Sequence, residues 1–174
     1  MRDNAFHEDF ANDPTNIFMW RRRGPRLTTS GQPTEADLNA LKALGVTEVV
    51  NLALHSHERA LRDEAASLRA LGIGYSHIPV DFDHPLAEDF ARFLAVMGER
   101  EGQVIHVHCI ANFRVSAFLY RYHREVRGIA EATARAMLED LWRPGGVWAR
   151  FIGDVAAEGQ PHLFAGRDYP RPRR

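Results

Sequence analysis

Val104-Ile105-His106-Val107-His108-Cys109-Ile110-Ala111-Asn112-Phe113-Arg114-Val115-Ser116-Ala117-Phe118 reads as a buried strand, a short loop and the start of a helix. Where a strand passes through a loop into a helix, loop amides and the free N–H groups of the first helical turn converge on one point. The helix dipole adds partial positive charge there, so the junction is suited to an anion. A cysteine at the strand end has its thiolate favoured by the same field, and a guanidinium offers a fork of N–H donors to an oxyanion. Cys109 and Arg114 therefore read as nucleophile and clamp facing one ligand. Ile110, Ala111, Asn112, Phe113 and Val115 would supply the amides, and Ser116 is both an ordinary N-cap and a candidate hydrogen bonder to the thiolate.

Outward from this junction, helix and strand alternate. Leu86 to Arg100 carries Phe90, Phe93, Leu94 and Met97 at helical spacing, and Gly102 breaks it before the strand Val104 to His108. Glu58 to Leu71 places Leu61, Ala65 and Leu68 on one face, ends at Gly72 and leads into a strand from Ile73 to Val80. Earlier still, Thr34 is a helix N-cap with Asp37 three residues on. Leu38, Leu41 and Leu44 mark the apolar face, Gly45 is the stop, and Val46 to Leu52 is a buried strand. Two short strands, Ile17 to Trp20 and Arg26 to Thr29, flank Gly24-Pro25 ahead of a turn at Ser30-Gly31-Gln32-Pro33. Downstream, helices over Ser116 to Arg127, Ala130 to Trp142 and Val147 to Ala157 are expected to cover the sheet. The alternation predicts an α/β fold in three layers, with a mostly parallel central sheet flanked by helices.

With 174 residues the chain fits one domain, with a folded core over 14–158 and a mobile tail over 160–174, where Pro170 and Pro172 alternate with arginines. One cysteine excludes an internal disulfide and a four-cysteine zinc site. Twenty-two basic against 23 acidic side chains leave a net charge of −1, which gives no general attraction to nucleic acid or to an anionic membrane. Arg21, Arg22, Arg23 and Arg26 form a local basic run that reads as solvated surface. The N-terminal residues contain no apolar signal-like region and no stretch has the length of a membrane span, so the expectation is a cytoplasmic protein.

The segment His108-Cys109 through Arg114 and Ser116 resembles the phosphate loop of the cysteine-dependent tyrosine and dual-specificity phosphatases, whose signature is His-Cys, five residues, Arg, then Ser or Thr. Here four residues separate Cys109 from Arg114, Val115 holds the ungapped arginine position, and Ser116 falls where the hydroxyl residue belongs. Ser30-Gly31-Gln32-Pro33-Thr34, the Leu-rich helix after it and Asn51-Leu52 resemble the opening of small bacterial phosphatase-like proteins. The likeness spans about Thr29 to Trp142. It implies hydrolysis of a phosphate monoester through a cysteinyl-phosphate, without metal or cofactor, on a phosphorylated protein or a small phosphate ester. It also implies that His108 orients the loop and that an aspartate upstream acts as general acid. In His77-Ile-Pro-Val-Asp81-Phe-Asp83-His84-Pro85 that role falls to Asp81, with Asp83 as the alternative.

Period two puts His106 and His108 on one strand face, yet no carboxylate or second cysteine is spaced to complete a metal site with them or with His55 and His57. The loop interior has no lysine, which disfavours highly charged inositol polyphosphates and leaves phosphotyrosine, phosphoserine or a small metabolite open. Two other readings stand beside the phosphatase. A rhodanese-like sulfurtransferase has the four-residue spacing but no use for a general acid, and a phosphate-binding pseudophosphatase follows if Arg114 points away.

Overall fold

The computed structural model describes residues 11–170. β1 (Arg21–Gly24) and β2 (Leu27–Ser30) form an antiparallel hairpin, and α1 (Glu35–Ala43) leads to β3 (Glu48–Asn51). After α2 (Glu64–Ala70) come β4 (Gly74–His77), α3 (Ala87–Glu99), β5 (Ile105–His108), α4 (Phe113–Glu125) and α5 (Glu131–Glu139). β6 (Trp142–Arg143), α6 (Gly146–Phe151), a short 3-10 turn at Val155–Ala157 and β7 (Leu163–Phe164) close the described chain. The main sheet runs β1-β2-β5-β3-β4, parallel throughout except for β1. β5 lies at its centre, with His108 paired to Ser30 on one side and to Asn51 on the other. The α/β class and the mostly parallel sheet expected from the alternation are therefore the fold observed.

Two apolar clusters make the layers. Leu38 and Leu41 of α1 and Leu68 of α2 pack with Val49 and Ile73 on one face of the sheet. Phe90, Phe93 and Met97 of α3, Val115 and Phe118 of α4, Leu138 of α5 and Trp148 of α6 pack with Val50, Val107 and Cys109 on the other. Local chemistry starts and stops the helices as the spacing suggested. The Thr34 hydroxyl accepts from the Asp37 amide while the Asp37 carboxylate accepts from the Thr34 amide, and Gly45 and Gly72 follow their helices at φ of +80° and +71°.

Several boundaries differ from expectation. The first strand lies at 21–24 and not at 17–20, because Met19 sits at φ 55° and breaks the extended run; Ile17 instead packs under α1. The second helix begins only at Glu64, where Asp63 caps it by accepting from the Ala66 amide. α4 begins at Phe113, three residues before Ser116, so Arg114 belongs to its first turn. Trp142 leaves the fifth helix for β6. The stretch from 160, expected as a tail, carries β7 paired with β6, and the Tyr169 hydroxyl donates to the Glu139 carbonyl at 2.7 Å. Residues 171–174 of that tail, and the N-terminal residues through 10, lie outside the described residues. No helix among the described residues is long and apolar enough to cross a membrane.

Phe93 has no exposed surface and meets Phe118 and Tyr122 edge-on at centroid distances of 5.5 and 6.1 Å. Phe93→Ala should cost about 3–5 kcal/mol of stability, since the α3–α4 seam cannot collapse around so large a void. A denaturant midpoint shifted by much less would mean that this seam is not the main contact of the larger cluster.

Candidate active site

Four residues, Cys109 to Asn112, connect the end of β5 to the first residue of α4. Cys109 is 1% exposed and packs in the larger cluster. Asn112 takes a left-handed conformation at φ 64°, which asparagine tolerates, and its Nδ2 donates to the Met19 carbonyl and to Thr29 Oγ1, both at 2.9 Å. The turn after β2 is equally close: the Gln32 amide donates to the Ile110 carbonyl at 3.0 Å, and a methyl on Gly31 would lie 2.5 Å from that oxygen. The β1–β2 hairpin and the turn after it thus fix the loop from one side. Phe113 stacks on Trp142 and meets Phe164, each at a centroid distance of 5.0 Å, while Val115 is fully buried. Ile110, Phe113 and Val115 spend their side chains on packing, so only their backbone is available to a ligand.

Arg114 is 7% exposed. Its Nη1 donates to the Val80 carbonyl at 2.8 Å, one residue before Asp81, and its guanidinium carbon lies 5.8 Å from the centre of the Phe82 ring. No carboxylate among the described residues lies within ion-pair distance of it, and Nε and Nη2 have no acceptor among them. The guanidinium is thus a buried cation held on one edge by a carbonyl, with donors left over on the other edge. The same contact brings Arg114 and the Asp81 loop together.

Asp81 itself is exposed. It accepts from the Asp83 amide at 2.8 Å and lies 3.5 Å from His84, and the Asp83 amide, with lesser help from His84 and Arg114, holds its carboxyl below the ordinary range. Asp83 is also exposed. Between them Phe82 anchors the loop: its carbonyl accepts from Trp148 Nε1 at 2.7 Å and its ring packs on Trp142 and Trp148. The hydrogen bonds of Ser116 run to packing neighbours. Its hydroxyl donates to the Phe113 carbonyl and accepts from Trp142 Nε1.

His108 is fully buried, with Nε2 2.6 Å from Glu64 Oε1 and Nδ1 3.2 Å from the Cys109 carbonyl. Burial pushes the Glu64 carboxyl up, but the His108 bond and charge and the Gln32 amide at 3.4 Å outweigh it, and the group ends below its ordinary value. Asn51 Nδ2 donates to the same carboxylate at 3.3 Å and to the Tyr75 hydroxyl at 3.1 Å, and that hydroxyl meets His55 at 3.0 Å at the surface. Glu64, Gln32 and Asn51 carried no chemical signal in the sequence. Gln32 lay inside the Gly31-Gln32-Pro33 opening, but a glutamate at the start of an amphipathic helix is what any exposed helix offers.

Among solved structures, the chain is similar to a candidate phosphatase (DUF442) from Shewanella putrefaciens CN-32. The two are 33% identical with a TM-score of 0.71, over 82% of this chain and 94% of that one. This chain belongs to the DUF442 phosphatase-like family. Its fold is also that of solved cysteine-dependent tyrosine and dual-specificity phosphatase-like proteins. This chain shares its fold with TpbA of P. aeruginosa, solved in complex with phosphotyrosine (19% identity, TM-score 0.60, 90% of this chain and 86% of that one). It also shares it with the catalytic core of the PP-IP phosphatase SIW14 of S. cerevisiae, solved with citrate (12% identity, TM-score 0.58, 79% of each). No family model and no curated protein sequence matches the chain.

In this DUF442 protein the folded Glu64 carboxyl titrates below its unfolded value. Its stabilising contribution is complete above the ordinary glutamate range and disappears as pH falls through the folded value. Glu64→Gln should therefore cost about 1–3 kcal/mol at neutral pH, and its deficit against the wild type should shrink on acidification. Urea unfolding of both proteins across the acid range measures this. A deficit that is constant with pH would leave the carboxylate without its assigned charge.

Proposed function

We propose that this protein hydrolyses phosphate monoesters, phosphotyrosine among them, with Cys109 as nucleophile. The observation that carries the reading is the buried, carboxylate-free Arg114 guanidinium, held on the Val80 carbonyl with its Nε–Nη2 edge unpaired beside the loop that opens α4. That edge and the loop amides would hold the equatorial oxygens while the thiolate attacks phosphorus in line. The P–O bond to the alcohol or phenol breaks as the S–P bond forms, and Asp81, with Asp83 as the alternative, would give the leaving oxygen its proton. In the second step the resulting carboxylate would take a proton from water, whose oxygen attacks phosphorus and returns the thiolate. His108, pinned by Glu64, orients the Cys109 carbonyl and with it the start of the loop. Likeness to a DUF442 candidate phosphatase over nearly its whole length, and to TpbA with phosphotyrosine bound, supports this class of substrate.

One observation favours a second reading. With α4 starting at Phe113, the connection from Cys109 is short, and the four residues between Cys109 and Arg114 match a rhodanese-like sulfurtransferase. A smaller ring of amides suits a single sulfane sulfur, whereas the Asp81 loop beside Arg114 suits oxyanion transfer. The purified protein should hydrolyse p-nitrophenyl phosphate, and Cys109→Ser should abolish this. Release of thiocyanate from thiosulfate and cyanide that depends on Cys109, with no phosphatase activity above the Cys109→Ser background, would establish the sulfurtransferase instead.

The acid has its own test. Asp81→Asn should slow alkyl phosphates, whose leaving groups need a proton, far more than p-nitrophenyl phosphate. Because the Asp81 carboxyl is held below the ordinary range, its protonated fraction falls as pH rises, and kcat/KM for alkyl phosphates should decline from acid toward neutral pH. If Asp83→Asn reproduces that leaving-group contrast and Asp81→Asn does not, the acid is Asp83.

A further inference from the structure

The basic run Arg21-Arg22-Arg23 and Arg26 does not form a uniformly solvated face. Arg21 pairs with Asp140 and Arg22 with Asp13, but Arg23 turns inward, where its Nη2 donates to the Met137 carbonyl at 3.0 Å. It lines a cleft of about 550 Å³ at the sheet edge opposite Cys109, beside Leu27 and Ile105, the first residues of β2 and β5. With four residues in β5, that edge lies roughly 13 Å along the strand from the thiol.

Two features coincide in this cleft. Its apolar lining includes Leu27, Leu94 and Met97, which belong to or pack on the larger core cluster. Its polar lining is dominated by cations. Neither Arg23, Arg26 nor Arg127 has a carboxylate within ion-pair distance among the described residues, and the buried His123 ring makes no hydrogen bond to any of them. Glu101 is the carboxylate among the described lining residues, while Arg100 is engaged by Glu48 at 3.4 Å. Burial, partly offset by Asp140, lowers Arg23 to about 10. Burial, Arg23 and Arg127 push His123 down to about 4, which leaves a neutral ring able to donate a hydrogen bond. Arg23, drawn in from water without a carboxylate at ion-pair distance, carries a desolvation cost that a bound anion would remove, and the exposed Arg26 and Arg127 add positive charge at the rim.

We propose that this cleft binds an anionic amphiphile, a carboxylate bearing an alkyl chain, with Arg23, Arg127 and His123 on the carboxylate and Leu27, Leu94 and Met97 along the chain. A charged head among the arginines with an apolar body against the core satisfies both parts of the lining, and the volume is that of a small-molecule site. The occupant reaches no residue of the Cys109 loop, so its binding and the proposed hydrolysis stand or fall separately.

Calorimetric titration of the full chain with decanoate, decanol and acetate tests the assignment. Decanoate should bind saturably, and both decanol, which lacks the charge, and acetate, which lacks the chain, should bind at least about tenfold more weakly. Arg127→Gln, at an exposed position that does not threaten folding, and Arg23→Gln should each weaken decanoate by about tenfold or more, the loss of one charged hydrogen bond. Hydrolysis of p-nitrophenyl phosphate by Arg127→Gln should match the wild type. Absence of decanoate binding, or equal affinity for decanol, or unchanged affinity in both arginine variants, would each overturn the proposal.

Discussion

Two imidazoles inside the central strand are the constraint around which the rest is arranged. β5 sends Ile105 and Val107 toward α3–α6, and His106 and His108 toward α1 and α2. A polar ring sealed between sheet and helix must find its partners there. For His106 they come from the neighbouring strand: Ser30 Oγ donates to the Gly31 carbonyl and so accepts from Nε2, which leaves Nδ1 to accept from the Thr28 hydroxyl. The ring is neutral, in keeping with a titration pushed far down by burial. His108 is satisfied differently. The Cys109 carbonyl lies beside Nδ1 and the Glu64 carboxylate beside Nε2, so both ring nitrogens have partners. Gln32 and Asn51 donate to the other carboxylate oxygen of Glu64, at 3.4 and 3.3 Å.

These bonds hold β5 in register with β2 and β3, and the strand's alternation then leaves the next residue, Cys109, on the opposite face. Cys109 and His108 are thereby separated by the sheet plane while remaining chain neighbours. The loop that follows is braced by the β1–β2 hairpin, and the Asp81 loop by Phe82 under Trp142 and Trp148. Arg114 links the two through the Val80 carbonyl. Movement of Arg114 toward an anion would thus be felt directly by the residue preceding Asp81, with no intermediary other than one hydrogen bond.

The alternation of apolar runs, the glycine stops and the Thr34 cap made the architecture legible, because each is a local rule that the tertiary fold did not override. Boundaries were less so. Met19 in a left-handed conformation is unusual for methionine, and the early start of α4 depends on Asn112 reaching Met19 and Thr29, partners far away in sequence. The junction carrying Cys109 and Arg114 could be read from spacing alone. Ser116 could not, since its actual partner, Trp142, comes from a strand that read as the end of a helix. Glu64 was invisible for a similar reason: its burial arises only when α2 docks on the face that carries His108.

Charge placement follows one logic at both ends of the sheet. The chain is almost neutral overall, and enough carboxylates are present to pair its arginines; Arg21, Arg22, Arg121, Arg124 and Arg135 are paired in this way. Arg114 at the carboxyl edge and Arg23 at the amino edge are exceptions, each held by a single backbone carbonyl. A carbonyl fixes the position of a guanidinium without neutralising it, so the field of the cation stays directed outward from the packed core. An acidic partner in either place would have improved the isolated fold and cancelled that field. Holding an arginine by backbone alone is what a site for an external anion requires.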